Sequence, residues 1–178
     1  MATPERESWW VLRAQSGDQE AFDSLLKNIQ GPLYRYVLSL VREASLAEDI
    51  LQEVFLRIYR KLRWLREPRA FRSWAYRIAT REAFRHLKRE RALAEQLADE
   101  DALKMVAADA PAPAQPELAE RLPQMIEKLS PASRAVIVLY YMHEMSLEET
   151  AAVLDIPLGT VKSRLAYGLE KLRREFGR

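Results

Sequence analysis

Residues 155–169, DIPLGTVKSRLAYGL, gather glycine, threonine, lysine, serine and arginine, the residue types that meet phosphate oxygens. Two chemistries use such a set. A phosphate-binding loop needs Gly-x-x-x-x-Gly-Lys-Ser/Thr after a strand; neither that spacing nor a strand pattern precedes this stretch. The other is duplex DNA recognition, in which the second helix of a helix–turn–helix enters the major groove with its N-terminal half facing base edges. A purely structural helical hairpin is the plainer alternative for the bare motif.

A second cluster lies upstream. LREPRAFRSWAYRIATREAFRHLKRER spans 65–91, and residues 57–91 carry 13 basic against 3 acidic side chains. Such density points to a polyanion partner, with a solvated helix face as the plain alternative. Arg77, Arg81, Arg85 and Lys88 recur on one helical face. Like charges at that spacing repel, so the row is expected to be unfavourable unless a polyanion lies along it. Trp64, Phe71, Trp74 and Tyr76 interleave with the cations, and rings beside cations can stack unpaired bases. Phe71 and Trp74 also fit an inward stripe with Ala75, Ile78 and Ala79, whereas the 64–69 loop is freer to meet a base.

Other chemistries find no residues. The chain has no cysteine and two histidines, His86 and His143, far apart in sequence. No disulfide, thiolate metal site, thiol nucleophile or paired-histidine metal site is expected, and no cofactor. The start MATPERESWWVLR lacks an apolar stretch after a basic one, so no secretory signal is expected. The longest apolar run, 135–142, is far short of the roughly 18 residues that span a membrane. A cytoplasmic protein without membrane insertion is the expectation.

These groups must be positioned by helices. Apolar spacing of three and four runs almost throughout, and no alternating strand pattern is bounded by turns, so the fold class is all-α. Gly17, the Gly31-Pro32 pair, Pro68, Pro131 and Pro157 punctuate the helices. Ser45-x-x-Glu48 reads as a capping box opening a helix whose stripe is Leu46, Ile50, Val54 and Ile58, with Leu51, Phe55 and Leu62 beside it. Asp49, Gln52, Glu53 and Arg57 face the other way, as solvated charge or as a docking surface. Residues 93–120, with 7 acidic and 1 basic side chains and a proline-rich end, read as a flexible acidic linker between two helical domains, 1–92 and 121–178.

In the second domain Ser146-x-x-Glu149 is another capping box, opening a helix to about residue 154. Asp155 tolerates the left-handed corner that follows, and Pro157 starts the next helix. Val161, Leu165, Leu169 and Leu172 point home and Ile156 plugs the turn. Leu158, Thr160, Lys162, Ser163, Ala166 and Tyr167 are left outward, and Gly159 admits close approach of a phosphate to the helix N-terminus.

The order GDQEAFDSLL, AEDILQEVFLRIYRKL, FRSWAYRIATREAF, linker, LSPASRAVIVLYYMHEMSLEETAAVLDIPLGTVKSRL resembles the extracytoplasmic-function (ECF) sigma factors of the sigma-70 family over nearly the whole chain. The resemblance implies sigma domain two, sigma domain four and no enzymatic activity. It implies docking of the 47–62 helix on the β′ clamp helices of core RNA polymerase through Asp49, Gln52, Glu53 and Phe55. It further implies −10 recognition and melting by the 65–89 loop and helix, with Trp64, Arg66, Arg69, Arg72, Arg77, Arg81, Arg85 and Lys88 on DNA. The −35 element would be read by Leu158, Gly159, Thr160, Lys162, Ser163, Arg164, Ala166 and Tyr167, and apolar residues of 118–142 would meet the β flap. An anti-sigma factor is a common partner in the family.

Five positions in two helices depart from the family pattern. In its melting helix, Trp-Leu-x-x-Ile-Ala-x-Asn-x-x-x-Asp-x-x-Arg, this chain has Ala75 for leucine, Arg81 for asparagine, Arg85 for aspartate and Lys88 for arginine; Tyr167 replaces a common arginine in the −35 helix. Elements about 16–18 base pairs apart lie roughly 55–60 Å apart, at about 3.4 Å per step. A linker of 28 residues reaches about 90 Å. The alternative is a free-standing helix–turn–helix repressor, which would bind its duplex without polymerase.

Overall fold

The computed structural model describes residues 2–95, 126 and 129–176, so the linker expectation falls outside the described residues from 96 onward. Helix α1 (Pro4–Gln15) has Thr3 as its cap, Pro4 in its first turn and Glu5 and Glu7 at its electropositive end. Gly17, at φ +93°, turns the chain. Asp18 then caps α2 by accepting from the Ala21 N–H at 3.0 Å. That hydrogen bond, with Arg13 beside it, holds the Asp18 carboxyl below the ordinary carboxylate value.

Helix α2 (Gln19–Val41) runs straight through the Gly31-Pro32 pair expected to break it. A proline inside a helix costs about 3 kcal/mol. Ile29, Leu33, Tyr36, Val37 and Leu40, all 1% exposed or less, flank it on one buried face. Full burial of each such side chain contributes about 1.5–3 kcal/mol, so packing outweighs the break.

Helix α3 (Ala44–Lys61) begins one residue ahead of the expected capping box. Glu43 takes the cap position with no capping hydrogen bond from its side chain, which instead accepts from the Ser45 hydroxyl at Oε1, at 2.7 Å. Ser45 is thus inside the first turn, where it cannot cap. The expected stripe is real: Ile50, Val54 and Ile58 are fully buried. Short 3-10 turns at Leu62–Trp64 and Pro68–Ala70 lead into α4 (Phe71–Glu95), which carries the first body three residues past its expected end.

In the second body Ser130 caps α5 (Pro131–Ile137), which widens into a π-helical turn at Val138–Met142. Helices α6 (Leu147–Leu154) and α7 (Leu158–Phe176) follow. Ala135 to Leu139 are all buried, so the apolar run expected to meet a polymerase flap is largely core, with Met142 exposed at its end. The two bodies rest on one another, α5 against α2 and α6 against α4.

Candidate nucleic-acid interface

The helix–turn–helix is built by local chemistry. Ser146 accepts from the Glu149 N–H at 3.1 Å while Glu149 accepts from the Ser146 N–H at 2.8 Å, closing both sides of the capping box. Asp155 takes the left-handed conformation, φ 57° and ψ 45°, and its N–H bonds to the Ala151 carbonyl. The Pro157 carbonyl, accepting from Thr160 and Val161, caps α7, so the proline sits one place before the helix. Val161, Leu165, Leu169 and Leu172 are buried, as their spacing requires.

The outward face is narrower than expected. Gly159, Lys162 and Tyr167 are exposed, and Leu158, Thr160, Ser163 and Arg164 half-buried. Ser163 donates to the Thr160 carbonyl at 3.1 Å. Ala166 is not on this face: it is 8% exposed. It lies one position from Leu165 and three from Leu169, within the arc that packs on α5.

The basic segment divides. Gln15 donates to the carbonyls of Leu62 and Leu65, at 2.9 and 2.7 Å, and so ties down the loop before α4. That loop forms one wall of an open cleft of about 490 Å³ lined by Lys61, Trp64, Leu65, Arg66 and Trp74. Trp64 is 60% exposed, with Arg63 stacked 3.9 Å from its ring centre. Arg66 and Arg69 are exposed beside it.

Along α4 four of the cations are already partnered. Arg72 reaches Glu7 at 2.9 Å, and Asn28 donates to the same carboxylate at 2.8 Å. Arg77 donates to the Ala152 carbonyl at 2.8 Å, and Arg81 pairs with Asp155 at 3.0 Å. Arg85 pairs with Glu53 and with buried Glu82, which also holds Arg57 at 2.8 Å. The repulsion expected along this row is therefore relieved within the chain, and Lys88 alone of the row's four is exposed with no ion pair or hydrogen bond among the described residues. Tyr76 does not stack outward either: at 1% exposed it is core.

On α3, Asp49 and Gln52 are exposed, whereas Glu53 is held by Arg85 and Phe55 packs against the core. Leu56 and Tyr59, 55% and 69% exposed, continue the row at helical spacing. Sequence reasoning passed over both, although apolar residues off the buried stripe were the available signal.

Two family models match the chain: Sigma-70 region 2 over residues 25–93 and Sigma-70 region 4 over residues 125–174. The ECF RNA polymerase sigma factor SigW of Bacillus subtilis is 34% identical over 93% of this chain and 94% of its own. The chain belongs to the ECF sigma factors.

The RNA polymerase sigma-H factor of Pseudomonas aeruginosa, 33% identical over 97% of this chain and 94% of its own, is similar to this sigma factor to the same degree. Its fold resembles CnrH in the solved complex with the cytosolic domain of CnrY, at 27% identity, 97% coverage of both chains and a TM-score of 0.71. It also resembles RpoE of Bartonella quintana, solved with the anti-sigma factor NepR, at 23% identity, covering 88% of this chain and 98% of that one, with a TM-score of 0.66. Transcription initiation with core polymerase and promoter DNA is the function of this family, and the region 2 and region 4 matches fall on the two helical bodies. Among the described residues no helix is long and apolar enough to cross a membrane.

In this sigma factor the region 4 body is seated on region 2 by residues to which the sequence assigned no such role. Arg134, 3% exposed, donates to the Ser39 and Leu40 carbonyls at 2.9 and 3.2 Å and to those of Ile126 and Leu129 at 2.9 and 2.8 Å. His143 Nδ1 and Tyr76 Oη share a hydrogen bond at 2.8 Å, and the imidazole lies edge-on to Tyr36. Burial, with Arg35 and Arg72 nearby, pushes His143 down to about 4. Beneath it the Tyr36 hydroxyl reaches Thr80 Oγ1 at 2.7 Å, and Thr80 donates to the Tyr76 carbonyl at 2.8 Å.

Proposed function

We propose that the two bodies divide promoter recognition. Helix α7 reads the −35 element in the major groove through Lys162, Thr160, Ser163 and Tyr167, with Leu158, Gly159 and Arg164 bordering the phosphates. The 64–69 loop and α4 take the −10 element. Trp64 and the cleft beside it accept an unstacked base, and Arg66, Arg69 and Lys88 meet backbone. Once their internal partners are released, Arg72, Arg77, Arg81 and Arg85 add to that surface. The exposed row Asp49, Gln52, Leu56 and Tyr59 on α3 docks on the clamp of core polymerase.

The observation that carries this reading is the α6–Asp155–α7 geometry. A left-handed corner and a buried α7 stripe leave Lys162, early in the helix, and Tyr167, midway along it, facing solvent. This is the arrangement a major-groove reader needs. Trp64, exposed and stacked under Arg63 at the lip of the cleft, supplies the platform that single-strand capture needs. No catalytic group is required, and the protein acts in the cytoplasm. The CnrH–CnrY and RpoE–NepR complexes support a regulatory protein partner of the anti-sigma kind for this chain as well.

Photo-crosslinking on a promoter complex with core polymerase tests the division. A crosslinkable residue at position 167 should mark the upstream −35 duplex, and one at position 64 the non-template strand at −10. Interchanged or absent crosslinks would overturn it.

A further inference from the structure

The two DNA-reading surfaces cannot both be used in the arrangement observed. Arg81 of α4 touches Asp155 at the helix–turn–helix corner at 3.0 Å. Asp155 is three residues from Leu158, where the reading helix begins, which places that start within about 11 Å of Asp155 at ~3.8 Å per residue. Promoter elements lie roughly 55–60 Å apart at about 3.4 Å per base pair. The chain must open before it spans them.

The closed contacts are specific. Arg134 sits at the C-terminal end of α2, where the last carbonyls lack helical partners and the helix dipole is negative. It supplies those carbonyls with a charged donor from the other body. His143 fills a seat formed by Tyr36 and Tyr76. Arg77 and Arg81, expected on DNA phosphates, are instead held by an α6 carbonyl and by the Asp155 carboxylate. Arg81 stands where the family pattern has asparagine, so this chain brings a cation to the acceptor.

We infer that the corner of the region 4 helix–turn–helix acts as an internal phosphate mimic, with Asp155 and the Ala152 carbonyl masking Arg77 and Arg81 and so holding the free sigma factor in a closed state that promoter DNA must displace. The masking rests on the reading of α4 as a −10 surface; the closed state does not. Because the Arg81–Asp155 pair is exposed, 63% and 70% at the side chains, it is weak alone. Arg134 and the His143 seat hold the bodies together, and the acceptors at the corner set what is masked.

The test uses the full chain, whose lack of cysteine lets two spin labels be placed without background, at positions 48 and 173. Without DNA or polymerase, the parent chain should give one narrow interlabel distance, and His143→Ala with Asp155→Asn a broad, longer distribution. Asparagine keeps the left-handed corner, so α6 and α7 remain intact. Asp155→Asn alone should raise affinity for a single-stranded −10 oligonucleotide about fivefold, the scale of one exposed ion pair. A broad distance in the parent chain, or variants unchanged in both distance and affinity, would overturn the proposal. A narrow parent distance that opens in the double variant, with no oligonucleotide bound by any form, would overturn the masking together with the −10 assignment while the closed state stands.

Discussion

Gly168 of α7 lies against Ile137 of α5 so closely that a Cβ at 168 would stand 2.6 Å from Ile137 Cδ1. Ile137 is fully buried, so a shift of that methyl must be made within the packed core. This contact limits how near α7 packs to α5. Overpacking of this kind costs about 1–3 kcal/mol. Gly168→Ala should lower the thermal midpoint, and Ile137→Val, which removes the offending methyl, should restore part of the loss when the two are combined. Equal or greater loss in the double variant would show that the contact is not the cause.

Arg134 should matter more for stability than its surface relatives. Arg134→Met keeps the length but leaves the carbonyls of Ser39, Leu40, Ile126 and Leu129 without this donor. Hydrogen bonds to a charged group contribute about 1.5–3 kcal/mol and do not add fully, so a loss of roughly 2–4 kcal/mol in denaturant unfolding is expected.

The pH response follows from His143. It is docked neutral, at about 4 against an ordinary 6.5. The lowered value means docking is undiminished above pH 6.5, weakens as pH falls below it, and loses this contribution as pH passes about 4. Within that window each unit costs up to about 1.4 kcal/mol. The groups facing the ring are Tyr36, Tyr76, Arg35 and Arg72, so repulsion from both arginines adds to the cost of a proton. Interdomain distance or thermal midpoint followed from pH 7 to 4.5 should show this slope. In His143→Phe the part due to this residue should vanish.

The α3 surface separates binding from folding. Charge reversal at Asp49 with Gln52→Lys should weaken core polymerase binding while leaving unfolding unchanged, since both are exposed. Glu53→Lys should behave differently. It loses the Arg85 pair and sets a cation beside Arg85 and Arg57, at a cost of at most about 1 kcal/mol. If all three shift stability alike, the division of this face is wrong.

The helix–turn–helix was legible because its determinants are local: Ser146 and Glu149 three apart, Asp155 at the corner, and a four-residue repeat from Val161. The limits of local reading show at the same scale. Ser45 and Glu48 have capping-box spacing, yet the helix starts two residues too early for them to cap. Gly31-Pro32 has the form of a break, yet buried neighbours on α2 override it. What no local pattern carries is the seating of the two bodies. Tyr76 and His143 read as an aromatic among cations and an isolated histidine, and Arg134 is marked by no local pattern. Their partners lie 67 to 95 residues away. The same distance hides the partners of Arg77 and Arg81, which made a self-neutralised row look like one awaiting a polyanion.

The most direct measurement is run-off transcription by purified core polymerase, with and without this chain, over a library of genomic upstream regions. The account predicts discrete transcripts that require the chain, with Lys162→Ala and Tyr167→Ala shifting use among templates that differ at −35. No chain-dependent transcript from any region, or a full set unaltered by both substitutions, would contradict it.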